Sequence, residues 1–190
     1  VSGPESKEVV VIDPGDQLVK IEEYLNNNDL ECKRILLTHG HFDHIAAATK
    51  LKSLTGARIC IHEEDAQLLR DPELNISAQL TNENISFEPD DLLKDDDEFS
   101  EAGLSWQGIY TPGHTKGGVS YNLKDQGLIF SGDTLFFESV GRSDFPTGNQ
   151  QTLIESIYNK LMIFDDSIEV YPGHGRPTTI GHERNYNPFL

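Results

Sequence analysis

Short apolar runs separated by turn-forming residues recur along the chain, with helical periodicity between them. Glu8-Val9-Val10-Val11-Ile12 is apolar and β-branched, and Asp13-Pro14-Gly15-Asp16 stops it with turn chemistry. Leu18, Ile21 and Leu25 follow at three- and four-residue steps, which predicts a helix with Asp16 as its N-cap and Asn26-Asn27-Asn28-Asp29 at its end. Ile35-Leu36-Leu37 reads as a second buried strand. Beyond it, Ile45 to about Leu54 has helical character, closed by Thr55-Gly56. Arg58-Ile59-Cys60-Ile61 predicts a third strand. The helix expected from Glu63 to Leu69 carries an acidic first turn that suits the positive end of its dipole. From Asp71 to about Asp97 periodicity fails, which predicts an irregular excursion over one face. Leu104 to Tyr110 alternates as a strand, and Val119–Leu123 with Gly127–Phe130 forms a hairpin across Lys124-Asp125-Gln126. Thr152 to Phe164 is amphipathic, burying Leu153, Ile154, Ile157, Leu161 and Met162, and Ile168–Tyr171 is the last strand. At 190 residues the chain is expected to form a single domain, 1–190.

Composition narrows the classes. No run approaches the ~20 apolar residues of a membrane span. Val1-Ser2-Gly3-Pro4-Glu5 has neither the basic nor the apolar region of a signal peptide. A net charge of −17 argues against wrapping a phosphate backbone, so no nucleic-acid or membrane partner is expected. Cys32 and Cys60 lie in separate segments without Cys-x-x-Cys spacing. They read as free buried thiols in a reducing compartment, with the cytoplasm as the expected location. Asp95-Asp96-Asp97-Glu98 lacks the glycine and terminal glutamate of an EF-hand and reads as a solvated turn.

The chemistry concentrates in Thr38-His39-Gly40-His41-Phe42-Asp43-His44. His39 and His41 alternate as strand side chains do, and Asp43 and His44 follow at the start of the predicted helix. Four nitrogen and oxygen donors converging at a strand-to-helix turn, with no thiolate, describe a metal site. Three later strands each end in a small-residue turn carrying one further ligand-type residue: His114, Asp133 and His174. A glycine beside each lets the backbone approach closely.

The ordered set His39-Gly40-His41-Phe42-Asp43-His44, Thr111-Pro112-Gly113-His114-Thr115, Ser131-Gly132-Asp133-Thr134-Leu135-Phe136 and Tyr171-Pro172-Gly173-His174-Gly175 resembles the metallo-β-lactamase superfamily. The similarity runs from about Val9 to Leu190. Within the superfamily the chain is most similar to the glyoxalase II-like hydrolases of the short bacterial type without the C-terminal helical domain. Gly141-Arg142-Ser143-Asp144-Phe145 and the ending from Thr178 to Leu190 carry that finer likeness. The resemblance implies an αββα sandwich of two mixed β-sheets flanked by helices, and an extra first strand before the segment that opens this chain. It also implies ligand roles. His39, His41 and His114 hold one metal, Asp43, His44 and His174 a second, and Asp133 bridges them. The metals expected are two divalent ions, zinc first, with iron or manganese as alternatives.

Two such ions sharing a hydroxide would lower its pKa to around 7 from 15.7 and polarise a carbonyl. Asp43, besides ligating, would orient that nucleophile. A thiolate leaves without a general acid, whereas an amide or phosphodiester needs its leaving group protonated, and the ligand set by itself does not distinguish these substrates. The resemblance implies metal-dependent hydrolysis of a small acyl thioester of the hydroxyacylglutathione type as the expected activity. A mononuclear-iron persulfide dioxygenase is one alternative, resembling this chain through Gly141–Phe145. A nuclease or phosphodiesterase of the same superfamily is the other, and the net charge counts against it. Arg142 falls where glyoxalase II enzymes place a substrate-contacting lysine, and Asp144 stands where they have a tyrosine. Arg142 and Arg176 are therefore the expected substrate contacts. Asp13 is read either as support for the site or as turn structure. His62 is expected to cap or lie at the surface, His182 to stay outside the site, Cys60 to be core, and Tyr171 and Phe136 to be walls.

Overall fold

Strand residues of the first sheet alternate between two apolar environments, and the alternation builds a layered molecule. The computed structural model describes residues 1–190. Strands β1 (Glu8–Ile12), β2 (Glu31–Leu36), β3 (Arg58–His62) and β4 (Asp91–Leu93) form one sheet in that order, all parallel. Val9, Ile35, Ile59 and Ile61 face outward onto helices α1 (Leu18–Asn27) and α3 (Ala48–Thr55), where they meet Leu25 and Leu51. Val10, Leu36, Cys60 and Leu93 face inward. This is the period-two pattern of a strand covered on both faces.

The second sheet runs β12-β11-β8-β7-β6-β5, with β5 at Glu98–Glu101, β6 at Leu104–Tyr110, β7 at Val119–Leu123, β8 at Leu128–Gly132, β11 at Glu169–Pro172 and β12 at Thr178–Thr179. Only β8 and β11 pair in parallel. Trp106, Val119, Tyr121 and Leu123 complete the inner core against the first sheet. Ile129 and Val170 face outward onto Leu153, Ile157 and Leu161 of the C-terminal helical segment, forming a third core. Helix, sheet, sheet and helix are thus stacked around three cores, the expected sandwich. The second sheet is mixed as anticipated. The first is parallel throughout, because each of its connections crosses over through helical segments.

Several elements differ in detail. The first helix starts after Gln17, not Asp16, and Gln17 is left-handed with no side-chain cap. The helix after the histidine cluster is interrupted, α2 covering Phe42–Ile45 and α3 starting at Ala48. A 3-10 turn at Glu63–Asp65 precedes α4 (Ala66–Arg70). The stretch read as irregular contains α5 (Ser77–Leu80) and β4. A small hairpin, β9 (Leu135–Phe136) with β10 (Ser139–Val140), and the terminal helix α7 (Ile180–Tyr186) lay below the periodicity threshold. Helix α6 (Gln150–Ser156) widens at Ile157–Leu161, where Met162 N–H bonds the Ile157 carbonyl five residues back. No helix is long and apolar enough to cross a membrane, and both cysteines are free and buried. The Asp95–Asp97 turn serves structure. Asp95 accepts the Tyr110 N–H at 3.0 Å and pairs with Lys160.

Candidate metal centre

Four strand ends deliver the ligand-type residues to one edge of the sandwich. The turn after β2 carries His39 and His41, and α2 carries Asp43 and His44. His114 follows β6, Asp133 follows β8 and His174 follows β11. The structure brings all seven together in two groups. His39 Nε2 and His41 Nδ1 lie 3.2 and 2.9 Å from His114 Nε2. His174 Nε2 lies 3.3 Å from His44 Nε2 and 3.2 Å from Asp43 Oδ2. Asp133 stands between them. Its Oδ1 is 3.4 Å from His44 Nε2, and its Oδ2 is 3.7 Å from both His114 Nε2 and His174 Nε2. The first group is buried, while Asp43 and His174 face solvent and form the mouth.

The supporting hydrogen bonds fix which nitrogens point inward. Asp13 Oδ1 accepts the Thr38 N–H at 2.7 Å and Oδ2 accepts the Thr38 hydroxyl at 2.6 Å. With its proton given to Asp13, Thr38 Oγ1 can only accept from His39 Nδ1, 3.1 Å away. His114 Nδ1 donates to the Arg142 carbonyl at 2.6 Å, and His44 Nδ1 donates to Asp13 Oδ2 at 2.9 Å. The Nε2 atoms of His39 and His114 therefore present lone pairs to one another at 3.2 Å, an arrangement that calls for a cation between them. Asp133 Oδ1 and His41 Nε2 are buried at the same place without hydrogen-bond partners. The residues fit metal ions on these grounds.

Electrostatics agree. Burial, reinforced by neighbouring imidazoles, holds His39 well below its ordinary pKa and His41 down to about 3, and burial lowers His114. The first group is thus neutral, as metal-binding imidazole must be. Burial works against protonation of His44 too, yet Asp13, Asp133 and Asp43 together lift it to about 9. Those carboxylates call for positive charge at that spot. Burial raises Asp133, offset by the three nearby histidines.

Asp13 supports the site through His44 and Thr38 and is also the left-handed residue that ends β1. Arg142 forms a two-pronged ion pair with Asp144, 2.7 Å on both prongs, over the Phe145 ring at 3.7 Å. Phe145 in turn lies 5.4 Å from His41. Arg176 sits over Phe137 at 3.5 Å, next in the chain to Phe136, whose ring lies 6.4 Å from His174. Tyr171 is not a wall of this cleft. It packs on Phe130 and lines a groove of about 620 Å³ beside β1, where Asp13 is the lone ligand-type residue. His62 caps the 3-10 turn and stacks on Tyr110, although it is buried rather than at the surface. His182 pairs with Glu138 outside the site, and Cys60 is core. Two residues that sequence reasoning missed are Asp65 and Glu183, both fully buried carboxylates. Asp65 accepts from the two turns bearing the first histidine group, and Glu183 accepts the Glu138 N–H that closes the Phe136 hairpin.

Residues 4–174 match the family model of the metallo-beta-lactamase superfamily. The hydroxyacylglutathione hydrolase GloC of Haemophilus influenzae is 36% identical over 98% of this chain and 89% of its own length. A crystal structure of the BLEG-1 B3 metallo-beta-lactamase superposes with a TM-score of 0.95 at 36% identity, covering 100% of this chain and 91% of that one. The crystal structure of TTHA1623 in a di-iron-bound form gives 0.83 at 33% identity, over 94% and 88% of the two chains.

Proposed function

The chain belongs to the metallo-beta-lactamase superfamily, and on that footing we propose that it is a two-metal hydrolase of small acyl thioesters of the hydroxyacylglutathione type. One observation carries the reading. The seven imidazoles and carboxylates that converge at the cleft fall into the two ligand groups with Asp133 between them, and Asp144 beside them is held by Arg142. No acid is left over to protonate a departing group. A thiol ionises near 8.5, so a thiolate departs without one, whereas an amine or alkoxide does not. The likeness to GloC supports the same substrate class.

His39, His41 and His114 would hold one ion, Asp43, His44 and His174 the other, with Asp133 shared. When bound, divalent ions supply Lewis-acid polarisation of the thioester carbonyl and bring the pKa of water down to around 7. Zinc fits these donors, as do iron and manganese, and a di-iron form exists in a related protein. The chain's own residues do the rest. Asp43, besides ligating, would orient the attacking hydroxide from its place at the mouth. Phe145 and Phe136 border the cleft and limit solvent around the scissile bond. Arg142, pre-oriented by Asp144 and Phe145, offers a guanidinium to a carboxylate of the thiol portion. Arg176 is a more distant anion contact. The net charge of −17 and the free thiols support a small-molecule substrate in the cytoplasm.

The test is a substrate panel on metal-loaded protein: S-lactoylglutathione, a β-lactam, a phosphodiester, and glutathione persulfide with oxygen monitored. Thioester hydrolysis should dominate with no oxygen uptake. The β-lactam arm answers to the likeness with BLEG-1, and turnover there above the thioester rate would move the assignment. Persulfide-dependent oxygen consumption by iron-loaded protein, faster than thioester hydrolysis, would overturn it.

A further inference from the structure

The three histidines of the first group stand on two turns more than seventy residues apart in sequence, yet both turns are fastened to one side chain outside the cleft. Asp65 is completely buried. Its Oδ2 accepts the Gly40 N–H at 3.1 Å and the Thr115 hydroxyl at 2.7 Å, and its Oδ1 accepts the Gly117 N–H at 2.5 Å. Gly40 lies between His39 and His41, and Thr115 directly follows His114. Both turns also lie flat on the Asp65 segment. A Cβ on Gly117 would meet Asp65 Cβ and Oδ1 at 2.7 Å, and one on Gly40 would meet Leu68 Cβ at 2.5 Å. Outside the bonded core, Glu64 pairs with Lys116 across the same junction.

Three donors point at this carboxylate and no donor of its own opposes them, so an acceptor-only group is required. Asparagine has nearly the same shape, but its amide NH2 would face one of the N–H or O–H groups. The carboxylate touches no imidazole and no part of the mouth. Any effect on the metals must pass through the backbone.

We propose that Asp65 is a positioning residue that sets the spacing between the His39–His41 turn and His114, and so selectively sets the affinity of the first metal site. The inference rests on the two-ion reading above but not on which substrate is cleaved. A carboxylate that merely stabilised the fold would weaken both sites together, whereas a positioning carboxylate weakens the site whose ligand turns it holds.

The experiment titrates metal-depleted full-length protein with Zn2+ against a chelating indicator, with Co2+ absorption as a parallel spectroscopic signal. Asp65→Asn should weaken one equivalent by about 10- to 100-fold, the range for loss of supporting interactions around ligands, and leave the other near wild type. Thr115→Val, which keeps both backbone bonds, should give a smaller loss of the same kind. The weakening should persist in a His174→Ala background, which spares the first site, and vanish in a His41→Ala background. Wild-type affinity for both equivalents in Asp65→Asn, or equal weakening of both, overturns the proposal. Should Asp65→Asn fail to fold, Thr115→Val decides, and an unchanged first-site affinity there overturns it. Wild-type protein reports separately on the two-ion reading. If it binds a single equivalent, that reading fails, and the proposal stands only if Asp65→Asn weakens this one equivalent.

Discussion

Asp133 is the one carboxylate whose two oxygens address both ligand groups, and one of them has no hydrogen bond to fall back on. Asp133→Ala is therefore expected to cut metal content below one equivalent per chain and to reduce thioester turnover by roughly three orders of magnitude or more. Elemental analysis alongside a steady-state assay checks both, and retention of two equivalents would contradict the shared role. The Arg142 guanidinium is placed by Asp144 and Phe145, and only its backbone carbonyl, which a substitution keeps, meets a ligand, His114. Arg142→Ala should leave metal content intact and raise KM about tenfold with little change in kcat; unchanged constants would remove it from the substrate contacts. Asp65 allows a pH prediction in metal-free protein. Burial lifts its carboxyl from an ordinary 3.8 to about 6, despite the bonds from Thr115, Gly117 and Gly40. The folded state thus holds this proton more tightly than the unfolded state does. The resulting stability is fully present below about 4 and is lost as pH rises through 6. The wild-type advantage in unfolding free energy over Asp65→Asn should fall by about 3 kcal/mol across that window, and a flat difference in paired denaturant titrations would show that Asp65 does not titrate there. The seven ligand-type residues were legible in the sequence because each sits beside turn-forming residues at a strand end. Asp65 was not. It reads as one of three consecutive acids in a helical first turn, and only the folded chain shows that it points at Gly40 and Gly117.

Elements were legible where one face is buried and illegible where packing overrides local preference. β1 and β3 read as apolar runs because both of their faces are buried, and β6 alternates because Leu104 and Trp106 face the core while Ser105 faces solvent. By contrast, Ala46 and Ala47 are good helix formers, yet the helix breaks there, with Ala47 N–H bonded instead to the Pro14 carbonyl of the β1 turn. That break lets α2 carry Asp43 and His44 toward the cleft while α3 lies along the sheet. The turn after β11 is constrained in a similar way. Gly173 bonds the Gly132 carbonyl, and a Cβ there would meet Asp133 Oδ1 and His44 Cε1, the latter at 2.6 Å. Gly173→Ala should push the β11 and β8 turns apart and weaken metal binding at the Asp43–His44–His174 group by tenfold or more, with the His39–His41–His114 group less affected. Zinc titration in the presence of a competing chelator distinguishes the two. Equal affinity to wild type would mean that the turn has slack not evident from its contacts. The short strands β9, β10 and β12 were missed because two-residue pairings leave no periodic trace, and α7 because Ile180 is its single buried apolar position.

At the scale of the whole molecule, periodicity could indicate two covered sheets but not how their strands run, because parallel and antiparallel partners share the same alternation. The likeness of motifs supplied the sandwich, and the parallel course of the first sheet emerged only from its pairing. The ligand arrangement has a consequence at this scale. His39, His41, Asp43 and His44 all follow β2 of the first sheet, while His114, Asp133 and His174 follow β6, β8 and β11 of the second. Ions held by these residues would therefore tie the edges of the two sheets together. Without them the same edge holds converging lone pairs and an unpartnered Asp133 oxygen, which push apart. Metal that binds the folded chain alone stabilises it by about 4 kcal/mol per site at a thousandfold excess over its dissociation constant. In a chain of this length each kcal/mol moves the melting temperature by roughly 2–4 °C. Removing both ions with a chelator is therefore expected to lower the melting temperature by on the order of 10 °C or more, and readdition of Zn2+ should restore it in a concentration-dependent way. His174→Ala, which breaks one group from the β11 side, should lose part of that shift. If the chelated and loaded proteins melt together, the inner core of Trp106, Tyr121 and Leu36 holds the sheets in register unaided, and the ions serve the reaction alone.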